Sequence, residues 1–319
     1  MFKPVRVAVI GVGYLGKIHA KIYHEMEGVE LVAVVDIDET AAAETAGRYG
    51  CEGLTSAGGL LNRVDAVSIV VPTSAHLEVS RPFLEAGIHT MLEKPIAPSV
   101  KESARVVAFA KQSRAILQIG HLERFNAGVM KLAELAENPR FIECHRLGEF
   151  VERATDVDVV TDLMIHDIDI VLTLVDSELR NVSASGTRVV TDVVDIANAR
   201  LEFENGAVAN VTASRVSREP FRRIRVFSEN RYLGLNFANQ QLEEIRAKEV
   251  THGDSYPELE HSRIDVVPQL PLNAELAHFI ECIHEGKEPL VRGEEGLVAV
   301  EVAELVRQKI YESIVAGDH

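Results

Sequence analysis

Asp162 and His166 stand four residues apart in DLMIHDID, inside a segment of helical periodicity. That spacing puts a carboxylate and an imidazole on one helix face, a turn apart, with Asp169 three residues beyond His166 on the same side. An imidazole that titrates near neutrality can remove a hydroxyl proton, and a neighbouring carboxylate can fix its orientation. Lys94 lies in Glu93-Lys94-Pro95, directly after the apolar run IHTML, and offers a second acid/base or a donor to a substrate hydroxyl. Each motif has a plainer reading as well: an Asp/His pair that braces a helix or shares a zinc ion, and a solvated lysine at a strand end. No matching set of further ligands accompanies Asp162 and His166, so no metal is expected.

Gly11-Val12-Gly13-Tyr14-Leu15-Gly16 falls between an apolar run and a helical pattern, the context that a G-x-G-x-x-G dinucleotide fingerprint requires. Gly11 permits the tight turn, Gly13 lets the backbone approach a pyrophosphate, and Gly16 allows helix and strand to pack closely. Tyr14 and Leu15 begin the helix whose N-terminus faces the phosphates. Asp36 ends the run LVAVVD 20 residues after Gly16, where an acid accepts hydrogen bonds from ribose hydroxyls. Asp36 and Asp38 would repel a 2′-phosphate, and no Arg or Lys follows the run to neutralise one, so NAD is favoured over NADP. An ordinary glycine turn and a solvated strand-end acid are the competing readings. In open parallel sheets ligands bind outside the carboxyl ends of the strands, which brings Glu93, Lys94 and Pro95 toward the nicotinamide. The positive charge of oxidised nicotinamide would disfavour a charged lysine there.

These residues need a scaffold, and the hydrophobic pattern supplies one. VRVAVI, LVAVVD, AVSIVVP, IHTMLE and AILQIG are apolar throughout, as strands buried on both faces must be, and stretches near 14–26, 39–48, 76–86 and 99–112 supply helical crossovers. This is an α/β Rossmann domain with a doubly wound parallel sheet, assigned to residues 1–121. Beyond it period-two alternation takes over. In IANARLEFENG, Ala197, Ala199, Leu201 and Phe203 face one way and their polar neighbours the other, and Asn205-Gly206 turns the chain into AVANVTAS. Residues 122–319 are therefore expected to form an α+β substrate-binding and oligomerisation domain with an open, mostly antiparallel sheet. Helices near 125–137, 161–175, 272–285 and 294–316 would cover its apolar face.

Composition sets limits on partners. With 46% hydrophobic and 26% charged residues the chain is an ordinary globular one, and its formal charge of −16 argues against nucleic acid and anionic membrane partners. Cys51, Cys144 and Cys282 are too few and too far apart for a disulfide framework. The chain runs almost at once into VRVAVIG without a leader pattern, and no apolar run is long enough to span a bilayer, so a soluble cytoplasmic protein is expected. Arg215, Arg218, Arg222, Arg223 and Arg225 fall within eleven residues of an otherwise acidic chain. Such a cluster can receive a diphosphate, or can pair with glutamates on a sheet surface.

GVGYLG, Asp36, VPTSAHLE, EKP and the D-x-x-x-H helix occur in the order found in the glucose-fructose oxidoreductase, inositol dehydrogenase and MocA family, which the whole chain resembles. The resemblance implies catalysis by Lys94, Asp162 and His166 on sugars, inositols and related compounds, with NAD bordered by Pro72, Thr73, His76, Glu93 and Lys94. It also implies a cis bond before Pro95 and a homodimer or homotetramer. GHLERFN together with DLMIHDID looks like the branch containing UDP-N-acetylglucosamine 3-dehydrogenases, although Ala127-Gly128 stands where that branch often has Pro-Ala. On that likeness Lys94, His121, Arg124, Asp162, His166, Arg222 and Arg223 are the candidate substrate contacts. Three functions remain open at this point: a nucleotide-sugar dehydrogenase, a dehydrogenase or reductase of a free polyol or other small carbonyl compound, and a non-catalytic NAD sensor.

Overall fold

In a computed structural model, residues 3–152, 157–248 and 256–317 are described. The chain divides into two units: residues 1–122 with 271–300, and residues 123–270 with 301–319. The apolar runs of the first unit become β1 (Val5–Ile10), β2 (Val29–Val35), β4 (Ala66–Ile69), β5 (His89–Glu93) and β6 (Leu117–Gly120). A three-residue β3 (Glu52–Leu54) completes a six-stranded sheet in the order β3-β2-β1-β4-β5-β6, parallel throughout. β3 has no apolar run to announce it, because two of its three residues are exposed at the sheet edge.

The crossovers are α1 (Tyr14–Glu25), α2 (Glu39–Tyr49), α3 (His76–Glu85) and α4 (Val100–Ser113). Two of them start where a side chain satisfies the free N–H groups of the first turn. Asp38 accepts from Thr40 and Ala41 at α2, and Ser99 accepts from Glu102 while donating to its carboxylate at α4.

The second unit opens with α5 (Ala127–Leu135) and β7 (Phe141–Leu147), followed by a π-helical turn at Val160–Met164 that runs into α6 (Ile165–Val175). Seven strands follow: β8 (Leu179–Thr187), β9 (Ile196–Phe203), β10 (Val208–Ser214), β11 (Phe221–Ser228), β12 (Arg231–Asn236), β13 (Gln241–Ala247) and β14 (Leu259–Ile264). Together with β7 they form an eight-stranded sheet ordered β14-β13-β12-β11-β7-β10-β9-β8, in which only β7 and β10 run parallel. The Asn205-Gly206 turn joins β9 to β10, with Gly206 at φ +83°, and Ala197, Ala199, Leu201 and Phe203 are buried as the alternation requires. α5 and α6 pack on one face of this sheet.

The last two helices, α7 (Pro271–Glu285) and α8 (Gly293–Gly317), divide differently from the expected domain assignment. α7 does not cover the second sheet. Its Leu276, Phe279 and Ile280 enter the core of the first unit beside Val9, Tyr23 and Met91. The first turns of α8 also belong there, Gly293 lying against Leu117 and Gly296 against Ile119 of β6. From Glu301 onward α8 belongs to the second unit, where Arg307 pairs with Asp158 and Ile310 lies beside Gly186. An apolar helix stripe demands burial, and nothing in its period says against which sheet.

Candidate active site

At the fingerprint, Gly11 sits at φ +90° and its amide donates to the Val35 carbonyl at 2.8 Å. A side chain on Gly11 would meet the Val70 carbonyl, and one on Gly16 would run into the Gly11 carbonyl, so both positions are closed to larger residues. Gly13 differs, since among the described residues no atom beyond its own chain neighbours and helix backbone lies within 4 Å of where its side chain would start. It caps α1 without any side-chain acceptor, and the helix therefore presents N–H groups to whatever occupies that space. Asp36 accepts from the Val12 amide at 2.7 Å and from the Asp38 amide at 3.0 Å, which locks the fingerprint loop to the end of β2. A carboxylate has about four acceptor positions, so two remain for ribose hydroxyls. Tyr14 and Ile37 flank the loop as large apolar side chains 80% and 96% exposed. The arrangement fits a dinucleotide: space and amides for the pyrophosphate, and an acid for the ribose. Ile37 escaped sequence reasoning, because exposure cannot be read from a residue type.

Lys94 is half-buried at the end of β5, and its peptide bond to Pro95 is cis. Two buried histidines grip this turn from different helices. On α3, the Nδ1 of His76 lies 3.0 Å from the Pro95 carbonyl and its Nε2 3.0 Å from the Val71 carbonyl. Burial pushes His76 down from its ordinary value, against the opposing pull of those carbonyls. On α1, His19 has Nδ1 2.8 Å from Ser68 Oγ and Nε2 3.3 Å from Glu93 Oε1. The other Glu93 oxygen accepts the Lys94 amide at 3.3 Å. His76 and Glu93 thus act first on the protein's own turn. Pro72 is exposed and Thr73 half-buried where β4 leads into α3, and His121 is buried at the end of β6.

Asp162 and His166 belong to the second unit. They straddle the junction of the π turn and α6, where the amide of Ile165 points at the Val160 carbonyl and widens the helix. Asp158 holds the start of this turn by accepting from the Val160 and Thr161 amides at 3.0 Å. Asp162 is partly exposed, with Arg215 Nη2 at 3.9 Å from its carboxylate, and His166 is buried. α6 is tied to β7 through charge. Arg146, only 3% exposed, makes paired 2.9 Å bonds to Asp167 and a 2.8 Å bond to Glu123, with its guanidinium over the Phe237 ring. Burial pushes the Asp167 carboxyl up despite the opposing pull of Arg146. Among the described residues no group of three or more His, Cys, Asp or Glu is placed to hold a metal ion.

The three arginines expected to meet substrate have partners within the chain or stand on different faces of the sheet. Arg124 is buried, and its Nη1 reaches Thr173 at 2.5 Å and Asp169 at 3.4 Å, which makes it a brace for α6. Arg222 and Arg223 cannot meet one diphosphate, because neighbours on a strand face opposite sides of the sheet. Arg223 pairs with Glu243 and with the Tyr232 hydroxyl, as Arg225 pairs with Glu143. Arg222 is exposed, aligned with Arg146 on β7, and acts on Asp167 of α6, which places it on the helix-bearing side.

Residues 5–121 match an oxidoreductase family with an NAD-binding Rossmann fold, and residues 119–233 match the GFO/IDH/MocA C-terminal domain. The chain belongs to the Gfo/Idh/MocA family. It is an NAD-binding oxidoreductase that acts on CH–OH groups. A UDP-N-acetylglucosamine 3-dehydrogenase from Acidithiobacillus ferrooxidans is 38% identical to this family member over 88% of each chain. A solved structure of that enzyme superposes with a TM-score of 0.90 at 36% identity, over 97% of this chain and 98% of the other. The scyllo-inositol 2-dehydrogenase of Bacillus subtilis is 28% identical over 95% of this chain and 93% of its own length. Among the described residues of this Gfo/Idh/MocA protein no helix is long and apolar enough to cross a membrane.

His19, Ser68, Arg146 and Ile37 are the site residues that sequence reasoning missed. One signal for His19 was present: it follows Gly16 by three residues and so shares the inward face of the fingerprint helix.

Proposed function

We propose that this family member oxidises UDP-N-acetylglucosamine, or a nucleotide-activated amino sugar like it, at the 3-hydroxyl to a 3-keto sugar. The observation that carries this reading is the 38% identity to the A. ferrooxidans 3-dehydrogenase over nearly nine-tenths of both chains. Gly11, Gly13 and Gly16 would hold the pyrophosphate of NAD and Asp36 its ribose. When bound, NAD supplies the acceptor for the hydride that leaves the sugar carbon. Lys94 or His166 takes the hydroxyl proton as the carbonyl forms, and Asp162 orients the imidazole. Glu93 and His76 hold the turn that carries Lys94. Arg222 offers the uridine diphosphate a cation on the helix-bearing side of the second sheet. The products are the 3-keto sugar, reduced nicotinamide and one proton.

The test is a panel of substrates incubated with NAD and followed by reduced-nicotinamide absorbance and product mass. UDP-N-acetylglucosamine should yield a product lighter by two hydrogens. Arg222→Ala should raise the KM for the nucleotide sugar, and Arg223→Ala should not. Robust oxidation of free scyllo-inositol with none of the nucleotide sugar would replace this reading with the polyol dehydrogenase that the B. subtilis relative represents. We further assign the chain to the cytoplasm, a reading supported by its free Cys51, Cys144 and Cys282. A homodimer or homotetramer is part of the same proposal.

A further inference from the structure

The turn that carries Lys94 is held from below by a chain of polar side chains, none of them adjacent in sequence. Ser68 is the third residue of β4, His19 comes from α1, and Glu93 is the last residue of β5. His19 and Ser68 are fully buried and Glu93 nearly so. Nothing in the core of a parallel sheet calls for such groups, since burying them costs free energy unless every contact is made. Ser68 Oγ lies 2.8 Å from His19 Nδ1, His19 Nε2 stands at ion-pair distance, 3.3 Å, from Glu93 Oε1 without hydrogen-bond geometry, and the Lys94 amide donates to Glu93 Oε2 at 3.3 Å. Gly120 on the adjacent β6 leaves room for this carboxylate. A side-chain carbon there would lie 2.7 Å from Glu93 Oε2 and 2.9 Å from its Cδ. The slot is therefore shaped for Glu93 in the orientation that reaches Lys94.

We propose that His19 is a positioning residue for Lys94, acting through Glu93. The inference rests on the assignment of Lys94 to acid/base work under the proposed function. His19 touches neither end of the reaction. Its ring ties the first helix to the last residue of β5, so that the backbone of Lys94 has one place to go. Displacing a catalytic group by about 1 Å can cost up to about 100-fold in rate. Losing the tie should accordingly lower turnover and leave the fingerprint, at the start of α1, able to bind cofactor.

Three variants of the full chain test this: His19→Leu, which removes both contacts, His19→Gln, whose polar amide can still reach Glu93, and Ser68→Ala. For each we would measure kcat, the Kd for NADH by its own fluorescence, and the Lys94 amide resonance of [15N]lysine-labelled protein, assigned by its loss in Lys94→Arg. His19→Leu should lower kcat by about 10- to 100-fold, keep the Kd within about twofold of wild type, and move the Lys94 amide. His19→Gln should restore both kcat and the resonance, and Ser68→Ala should show a smaller change in the same direction as His19→Leu. The proposal is overturned if His19→Leu leaves kcat and the Lys94 resonance unchanged. It is equally overturned if His19→Gln loses as much turnover as His19→Leu, or if the Kd weakens in step with kcat. Should His19→Leu fail to fold, an unmoved Lys94 resonance in Ser68→Ala, or a collapsed kcat in His19→Gln, rejects it. If the wild type oxidises no sugar at all, the functional reading fails on its own, and the Lys94 resonance still decides whether His19 holds the turn.

Discussion

Arg146→Ala should be among the most damaging single substitutions in the second unit, and the reason lies in what it leaves behind. The guanidinium makes three charge-assisted bonds of 2.8–2.9 Å to two carboxylates, at Asp167 and Glu123. Asp167 is 1% exposed and already pushed up by burial with Arg146 present. Removing the only cation bonded to both carboxylates among the described residues strands two buried negative charges, and breaking such a pair costs about 3–5 kcal/mol. In a unit of this size that is a fall of roughly 6–20 °C in unfolding midpoint. The stranded carboxylates can escape part of the penalty by binding protons. Their folded pKa values then rise above the unfolded ones, so the variant is nearest to wild type at low pH and falls further behind as pH rises above about 4. Thermal unfolding followed by far-UV circular dichroism at about pH 5.5 and about pH 8 reads both effects; the chain has no Trp to report by fluorescence. Arg146→Met combined with Glu123→Gln and Asp167→Asn should recover most of the loss, since the uncompensated charge goes with it. A cost below about 1 kcal/mol for Arg146→Ala, equal at both pH values, would refute the assignment of Arg146 as the counter-charge that fastens α6 to β7.

Glu275 on α7 is fully buried, both carboxylate oxygens lack a hydrogen-bond partner among the described residues, and burial together with nearby Glu93 pushes it well above the usual carboxylate range. The folded chain therefore holds this proton when the unfolded chain has released it, and stability drains away as pH rises above about 4.3. Glu275→Gln should match wild type at about pH 4 and exceed it increasingly toward pH 8 in urea unfolding, and a pH-independent difference would contradict this. Asp36→Ala should weaken NAD binding and narrow its advantage over NADP, as measured by titration with both reduced cofactors; an unchanged ratio would mean that the acid serves only the Val12 and Asp38 amides. Lys94→Met and His166→Ala should each remove most turnover and leave NADH affinity nearly intact, with Asp162→Asn milder. Near-normal rates in either of the first two would end the assignment of those residues to proton transfer.

The parts of the fold that were legible share one property: their physics is local. The fingerprint and Asp36 are tied to a single strand–helix–strand unit, and the five apolar runs had to be strands because a sheet covered on both faces leaves no polar alternation. The β9–β10 hairpin carried its turn in Asn205-Gly206. What escaped depends on contacts between distant segments. α7 has an apolar stripe, but its choice of Val9 and Tyr23 as partners is made by the packed core. Residues 19, 68 and 93 meet only because β4 and β5 are neighbours under α1, an adjacency that no spacing reveals. The π turn under Asp162 adds a residue to one helical turn without any Gly or Pro to mark it. The placing of Arg222 and Arg223 on opposite faces of β11 is of another kind. Strand alternation alone separates consecutive residues, and counting arginines obscured it.

The central claim is that hydride leaves carbon 3 of a nucleotide-activated amino sugar, and its most direct test is an isotope transfer. UDP-N-acetylglucosamine deuterated at carbon 3 would be incubated with NAD and the wild-type chain, and the reduced cofactor weighed by mass spectrometry. The account predicts reduced nicotinamide one mass unit heavier than that formed from unlabelled sugar, with a slower rate for the deuterated substrate when hydride transfer limits turnover. Reduced cofactor of ordinary mass would place the chemistry at another carbon, and no reduction at all, alongside active oxidation of a free polyol, would contradict the account.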